Sequence, residues 1–353
     1  MSRRTTNSII AQTTDLATWE QELTLFNHSI FLLPQWLQII ETPSRKAIYI
    51  DFIQDNVTIS KISGLLVSEN KLMGKMLFFY AAPAFRSKVT EDTYHHCLYA
   101  LVALAKKNNI SRIQILYFDQ RNSLLPPNGY FHSHQMHEAI FDLKNEFTSF
   151  KPGSSLRKKR NQALRAQTSW FISNDPQQLP LLSELAENTL QRRKNKHNSD
   201  YKKLELPFFT EQHLPKLLKS GLGKMYCSMN PDGQSHFISV IIEYNGTAYG
   251  LFNGCDAFGY DNGLPGYVLL NASQDLFERG IERLNMGGTP AISNEKKKLL
   301  QFKEELGAKP QAFYITKTDF LVFPQKILNP LINIGRKLPY NTLSKSFSQW
   351  MRH

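Results

Sequence analysis

The residues with the plainest chemical potential are two adjacent glycines and a later lysine. Gly287-Gly288 ends a short apolar, strand-like run (283–286). After it come a loop (289–294), the basic run Lys296-Lys297-Lys298 and a helix-compatible stretch that carries Lys303. Paired glycines at a strand end allow a sharp turn and a close approach of backbone to ligand. Ser293 or Asn294 is placed to cap the helix, Gly307 to close it, and Pro310 bars its return. Phe302 is expected to pack inward, with Lys303 pointing elsewhere. A lysine presented beside a glycine turn suits an anion or a developing negative charge. Lys296 to Lys298 read as a solvated run.

Other candidates are weaker. Arg157 and Arg160 lie in a basic, helix-compatible run (156–167), and Arg193 ends a later helix, where the dipole favours cations. The alternating His132, His134 and His137 read as a polar loop, because no carboxylate or cysteine set completes a metal site; no metal is expected. Asp256 and Asp261 read as turn formers. Cys97, Cys227 and Cys255 are far apart, without CxxC spacing, and read as core residues of a reducing compartment. No GxSxG, HExxH or P-loop motif occurs.

The elements that must position these residues fall into two halves. The 353 residues allow one large or two medium domains. The first half reads as helix, three strands (46–54, 57–67, 75–80), helix (90–108), strand (112–118), strand (138–143). Asp55-Asn56 marks a hairpin turn. After a breaker at 151–155, the second half reads as helix (156–167), strand (170–172), helix (175–194), basic loop (195–203), short helix (208–220) and strands (224–228, 235–244, 247–253) joined by Pro231-Asp232-Gly233 and Asn245-Gly246. A glycine-rich loop (254–265), a helix (266–279) and the strand into Gly287 complete it. The shared rhythm suggests an internal duplication. The expected division is 1–150, 151–317 and a Pro-interrupted tail, 318–353, which packs on the domain or forms an amphipathic surface element with peripheral membrane contact.

Lys plus Arg is 42 and Asp plus Glu 30, a net charge of +12, which favours anionic partners such as phosphates, RNA or an anionic lipid surface. No apolar run is long enough for a membrane span, and the N-terminal apolar patch is too short for a signal peptide. The cytoplasm is the expected location.

Taken in order, the second half resembles the FemAB-type branch of the GNAT N-acyltransferase superfamily, in particular the BioF2-like acetyltransferase domain. The resemblance rests on Phe141-Asp142-Leu143 with the basic run 155–163, on Thr189 with Arg192-Arg193, on the hairpin from Tyr226, on 249–254, on Pro265-Gly266-Tyr267, on Asn285-Met286-Gly287-Gly288, and on Phe302-Lys303 with Gly307. It covers residues 150–315 well and the first half in rhythm. It implies an α+β fold of two tandem GNAT-like domains, each a mixed, mostly antiparallel sheet flanked by helices.

It also implies N-acyl transfer to an amine or hydroxyl of a small-molecule, sugar, lipid-linked or peptide precursor. Lys303 would stabilise the oxyanion or a phosphate. Phe252, Asn253 and Gly254 would hold the donor, with a phosphate at the helix start Gly266-Tyr267-Val268. Arg157, Arg160, Arg193, Tyr226, Gly287 and Gly288 would line the acceptor side. No permanently bound cofactor is expected. The usual acetyl-CoA loop spacing is missing between 253 and 270, where Gly254, Gly259, Gly263 and Gly266 stand alone. The donor therefore stays open between acyl-CoA and an aminoacyl-tRNA, whose carrier phosphates would suit the positive charge. A different class of reading is a non-catalytic protein that binds RNA or an anionic membrane through its basic runs and tail.

Overall fold

The computed structural model describes residues 8–68, 72–119, 124–197, 206–289 and 294–337. The expected loops at 195–203 and 289–294, and the tail beyond 337, lie wholly or partly outside these. The chain forms two compact units. One comprises Met1–Leu37, Glu41–His134 and Tyr314–His353; the other comprises Gln38–Ile40 and Gln135–Phe313. The sequence reading placed its divisions at 150 and 317, whereas the compact units divide within strands. The reason is strand length: two long strands, Phe131–Asp142 and Lys309–Thr318, each contribute residues to both units.

The first unit opens with β1 (Ile10–Thr13), α1 (Leu16–Leu23) and α2 (Pro34–Ile40, in this unit as far as Leu37). It continues through β2 (Arg45–Gln54), β3 (Val57–Val67), β4 (Lys75–Phe79), β5 (Ala84–Phe85), α3 (Glu91–Lys107) and β6 (Ile110–Ile115). Asp55 and Asn56 both take positive φ, as a two-residue hairpin turn requires. Strands β1 to β4 are antiparallel neighbours, and β6 joins β4 in parallel after the α3 crossover. That parallel pair is closed along its length: Lys75↔Ile110 through Phe79↔Ile115 are paired, and Leu116 and Phe118 amides donate on to the Phe79 and Tyr80 carbonyls.

The second unit repeats the plan. It contains β7 (Phe131–Asp142, from Gln135), α4 (Leu143–Glu146), α5 (Ser154–Arg165), β8 (Ser169–Ser173), α6 (Leu179–His197), α7 (Leu214–Lys219), β9 (Gly223–Met229), β10 (Phe237–Tyr244), β11 (Thr247–Cys255), α8 (Ala257–Asp261), α9 (Leu264–Glu278), β12 (Arg283–Thr289), α10 (Asn294–Glu305) and β13 (Lys309–Thr318, to Phe313). Its strand order is β7-β12-β11-β10-β9-β8, antiparallel except for the parallel β11–β12 pair. Apolar side chains of α9 (Val268, Ala272, Leu276) pack with Phe141, Ile241, Ala248 and Leu284 of the sheet. On the opposite face α6 lies so close to β11 that a Cβ on Gly254 would sit 2.8 Å from the Ala186 amide nitrogen. From Tyr314 the chain returns to the first unit and ends its described part in α11 (Asn329–Lys337).

Several local expectations change. The glycine-rich loop 254–265 contains α8, because Asp256 caps it through the Gly259 amide. The histidines at 132, 134 and 137 stand on strand β7 rather than a loop. The segment after Gly307 is a strand, β13, despite Pro310 near its start.

Candidate functional site

The second unit differs from the first where its parallel strands meet. β11 and β12 pair only at Thr247↔Arg283, Ala248↔Leu284 and Tyr249↔Asn285. Beyond that point β11 runs on to Cys255 and β12 to Thr289 without pairing to each other. The strands part because each carries an irregularity there. In β11 the register to β10 slips, Val240 facing Phe252 but Ile241 facing Gly250. In β12 the register to β7 slips between Asn285 and Gly288, with Gly287 at φ +76°. Two glycines keep the mouth of this opening narrow in side-chain terms. A Cβ on Gly250 would lie 3.5 Å from the Asn285 carbonyl oxygen, and one on Gly287 would lie 3.4 Å from the Gly250 carbonyl oxygen.

Lys303 reaches this bulge from α10. Its Nζ donates to the carbonyl oxygens of Gly287 and Gly288, each at 3.0 Å, and the residue is only 9% exposed. The expected orientation is thereby reversed. Lys303 is the buried residue, whereas Phe302 is half-buried beneath the Lys159 ammonium, 4.8 Å from its ring centre. The bulge turns successive carbonyls toward α10, and buried carbonyls need donors. Asn285 completes the arrangement: its Oδ1 accepts from the Gly287 amide at 2.8 Å, while its buried Nδ2 has no partner among the described residues.

The free edge of β11 is shaped by α6. Thr189 Oγ1 accepts from the Cys255 amide at 2.9 Å and donates to the Cys255 carbonyl at 3.0 Å. Those two backbone groups therefore point off the strand edge that faces the opening. Asn253, two residues earlier on the same pleat, presents its backbone to the same edge. Of the three expected donor-binding residues here, Phe252 is buried, Gly254 is occupied by its close packing on α6, and Asn253 is exposed.

The expected phosphate position on α9 is altered. The helix begins at Leu264 with Gly263 as its left-handed cap and Pro265 in the first turn. The Tyr267 amide donates to the Gly263 carbonyl, and the Val268 amide lies inside the helix ladder. Gly266 faces α5, where a Cβ would meet Leu156 Cδ1 at 2.9 Å and Lys159 Cδ at 3.2 Å. The first turn of α9 is thus packed against α5.

Arg157 and Arg160 are exposed on α5, and a shallow groove there is lined by Ser154, Arg157, Lys158, Asn161, Gln162 and Arg165. Arg193 is exposed on α6, and its neighbour Arg192 lies 3.8 Å over the Tyr260 ring. Tyr226 is engaged elsewhere: its hydroxyl donates to Asp275 at 2.7 Å and accepts from Arg279 at 2.7 Å. Burial, then the Asp275 hydrogen bond and the Glu243 charge, push its phenol far above the ordinary value. It belongs to a network with Arg279, Glu243 and Lys224.

Two pairs escaped the sequence reading. Glu138 on β7, almost wholly buried, accepts from the Tyr249 hydroxyl at 3.1 Å, where the strands begin to part. His236 Nδ1 lies 2.7 Å from Asp256 Oδ2 at the far end of β11, with Asn230 beside its Nε2. Neither pair has a local motif, because each is assembled by strand register. Burial pushes the Cys97 and Cys227 thiols up to about 12 and Cys255 higher, so none is a ready nucleophile. Among the described residues no group of His, Cys, Asp and Glu is placed to hold a metal ion.

The comparisons with known proteins agree with this geometry at the level of fold. No family model matches the chain, and no curated protein matches it in sequence. Solved structures do match. A crystal structure of FemX superposes with a TM-score of 0.66 at 12% identity, covering 91% of this chain and 99% of that one. A tandem GNAT protein from the clavulanic acid biosynthesis pathway gives 0.50 at 8% identity, covering 89% and 99%. L-PGS from Bacillus licheniformis gives 0.50 at 16% identity, covering 87% and 93%. The fold is α+β, of the tandem GNAT and FemAB-like type.

Proposed function

We propose that the chain is an N-acyltransferase whose second unit holds the activated acyl group in the opening between β11 and β12. One observation carries this reading. Two similar units each contain a parallel strand pair, closed at β4–β6 and open at β11–β12. An open parallel pair offers unspent backbone donors and acceptors, here around Asn253, to an extended acyl carrier. The acceptor amine attacks the acyl carbonyl, a C–N bond forms, the bond to the sulfur or oxygen of the carrier breaks, and the carrier leaves with a proton. Backbone amides along β11 stabilise the oxyanion. Lys303 holds the Gly287 and Gly288 carbonyls and so sets the far wall. Glu138, through Tyr249, takes the proton the amine gives up and returns it to the departing carrier.

The donor is an acyl-CoA. A second reading, transfer from an aminoacyl-tRNA to a peptide or cell-wall precursor, draws on a specific observation. The first turn of α9 is filled by α5, whose outer face is basic at Arg157, Lys158 and Arg165. That face suits a polyanionic carrier. The expected acceptor is an amine (or a hydroxyl) of a small-molecule, sugar, lipid-linked or peptide precursor, approached past Arg160, Arg193 and the Gly287–Gly288 bulge. Incubation of the protein with a panel of CoA thioesters and charged tRNAs, each with amine acceptors, tests the reading. Acylated product that requires the protein supports it, and the productive donor class decides between the two versions. No transfer from either class would sink it.

A further inference from the structure

The described C-terminal segment of the first unit carries large apolar side chains turned to solvent. Phe323 is 77% exposed, Ile327 64%, Leu331 57% and Ile334 57%, at spacings that place the last three along one side of the helical stretch through α11. Leu72, 67% exposed, lies next to them: the Gln325 side chain donates to its carbonyl at 3.3 Å. Scattered apolar residues on a surface need no explanation, but a contiguous ridge does.

The ridge is held in place. The opposite side of the segment buries Ile332 against Met73 and Phe320, with Leu328 packed on them. Asn329 closes the loop before the helix by bonding both the amide and the carbonyl of Phe320, at 3.0 and 2.9 Å. Leu321 donates to the Ser111 carbonyl at 2.8 Å.

Cationic groups lie beside the ridge and beneath the segment that carries it. Lys326 is exposed beside Ile327. Under α11 a cavity of about 70 Å³ is lined by Arg112, Lys317, Thr318 and Arg336, among others. Arg336 is neutralised by Asp319 at 2.6 Å and also meets His132 at 2.9 Å. The half-buried Arg112 lies under the Phe320 ring at 5.1 Å, and its Nε has no hydrogen-bond partner among the described residues. The space has room for a phosphate-sized group.

We propose that the segment from Phe323 through α11 docks on an anionic phospholipid bilayer, with the ridge in the acyl boundary and the Arg112–Lys317 cleft receiving a headgroup phosphate. At nine residues α11 is about 14 Å long, far too short to cross a bilayer, so it lies in the interface plane. Apolar insertion and attraction of cations to the leaflet act together in such contacts. The proposal does not depend on the acyltransferase reading.

Flotation of the full chain with phosphatidylglycerol-containing vesicles, against pure phosphatidylcholine vesicles, at about 0.15 M salt tests it. The protein is expected on the anionic vesicles and to leave them as salt rises. Phe323→Ser, Ile327→Ser, Leu331→Ser and Ile334→Ser together should lower partitioning at least about tenfold, with an unchanged circular dichroism spectrum because the four side chains lie outside the Met73–Phe320–Ile332 cluster. Arg112→Gln should lower it several-fold. Absence of the wild-type protein from anionic vesicles, or undiminished binding by the quadruple variant, overturns the proposal. So does a wild-type dimer that ignores vesicles and that the quadruple variant converts to monomer, since the ridge would then be a self-association face.

Discussion

The Nζ of Lys303 lies 3.0 Å from the carbonyl oxygen of Gly287, inside the bulge that parts β12 from β11. The same ammonium holds the Gly288 carbonyl. This lysine therefore acts first on the backbone, and through it on the space where an acyl group would rest. Lys303→Ala leaves two inward carbonyls without that donor. Turnover with an accepted donor should fall on the order of 100-fold or more, and urea unfolding should show a loss of about 1–3 kcal/mol. A folded variant with full activity would remove Lys303 from the account.

Glu138→Gln tests the proton path. The substitution keeps the shape and a hydrogen-bond acceptor for Tyr249 but removes the base. kcat should fall by about 10²–10⁴-fold, as loss of general base catalysis does, while donor binding stays near wild type. An unchanged kcat would leave Glu138 a buried structural partner of Tyr249.

Thr189→Val tests the support of the donor edge. Thr189 spends one hydroxyl on both the amide and the carbonyl of Cys255. Valine keeps the volume and leaves both backbone groups buried without that partner. A loss of about 1–3 kcal/mol in denaturant unfolding is expected, and Thr189→Ser should restore most of it. Equal stability of the valine variant would contradict the arrangement.

Glu243 gives a pH signature. Burial alone would raise its carboxyl, but hydrogen bonds and charges from Arg279 and Lys224 outweigh burial and hold it below its ordinary value. A depressed folded pKa stabilises the protein above the unfolded value and is lost as pH falls through the folded one. Unfolding measured from pH 6 downward should show stability declining below about pH 4.3, and Glu243→Gln should flatten that decline. A variant with the wild-type slope would exclude Glu243 as its source.

Much of this architecture was legible in local chemistry. Asp55-Asn56 and Asn245-Gly246 turn hairpins because these residues accept positive φ. Helices α3, α5, α6 and α9 follow their apolar spacing. What stayed hidden depends on register between distant strands. Glu138 meets Tyr249 only after β7, β12 and β11 have aligned, and His236 meets Asp256 only once the β10–β11 hairpin has taken its register. The burial of Lys303 was hidden for a related reason: a lysine on a polar helix reads as solvated until a bulge turns two carbonyls toward it. The strand β13 was masked by Pro310, which the strand tolerates near its start.

The central claim is that the opening between β11 and β12 receives the acyl donor. Gly250 borders it, and a Cβ there would meet only the β12 backbone, 3.5 Å from Asn285 O and 3.7 Å from Met286 Cα. A leucine at this position would fit at Cβ and extend into the opening. Native mass spectrometry of the wild-type chain and Gly250→Leu, each with a CoA thioester and with a charged tRNA, tests the claim most directly. The account predicts a donor complex for the wild type and at least about a tenfold loss of it in a Gly250→Leu protein that melts as the wild type does. Equal donor binding by the two proteins would place the donor elsewhere and contradict the account.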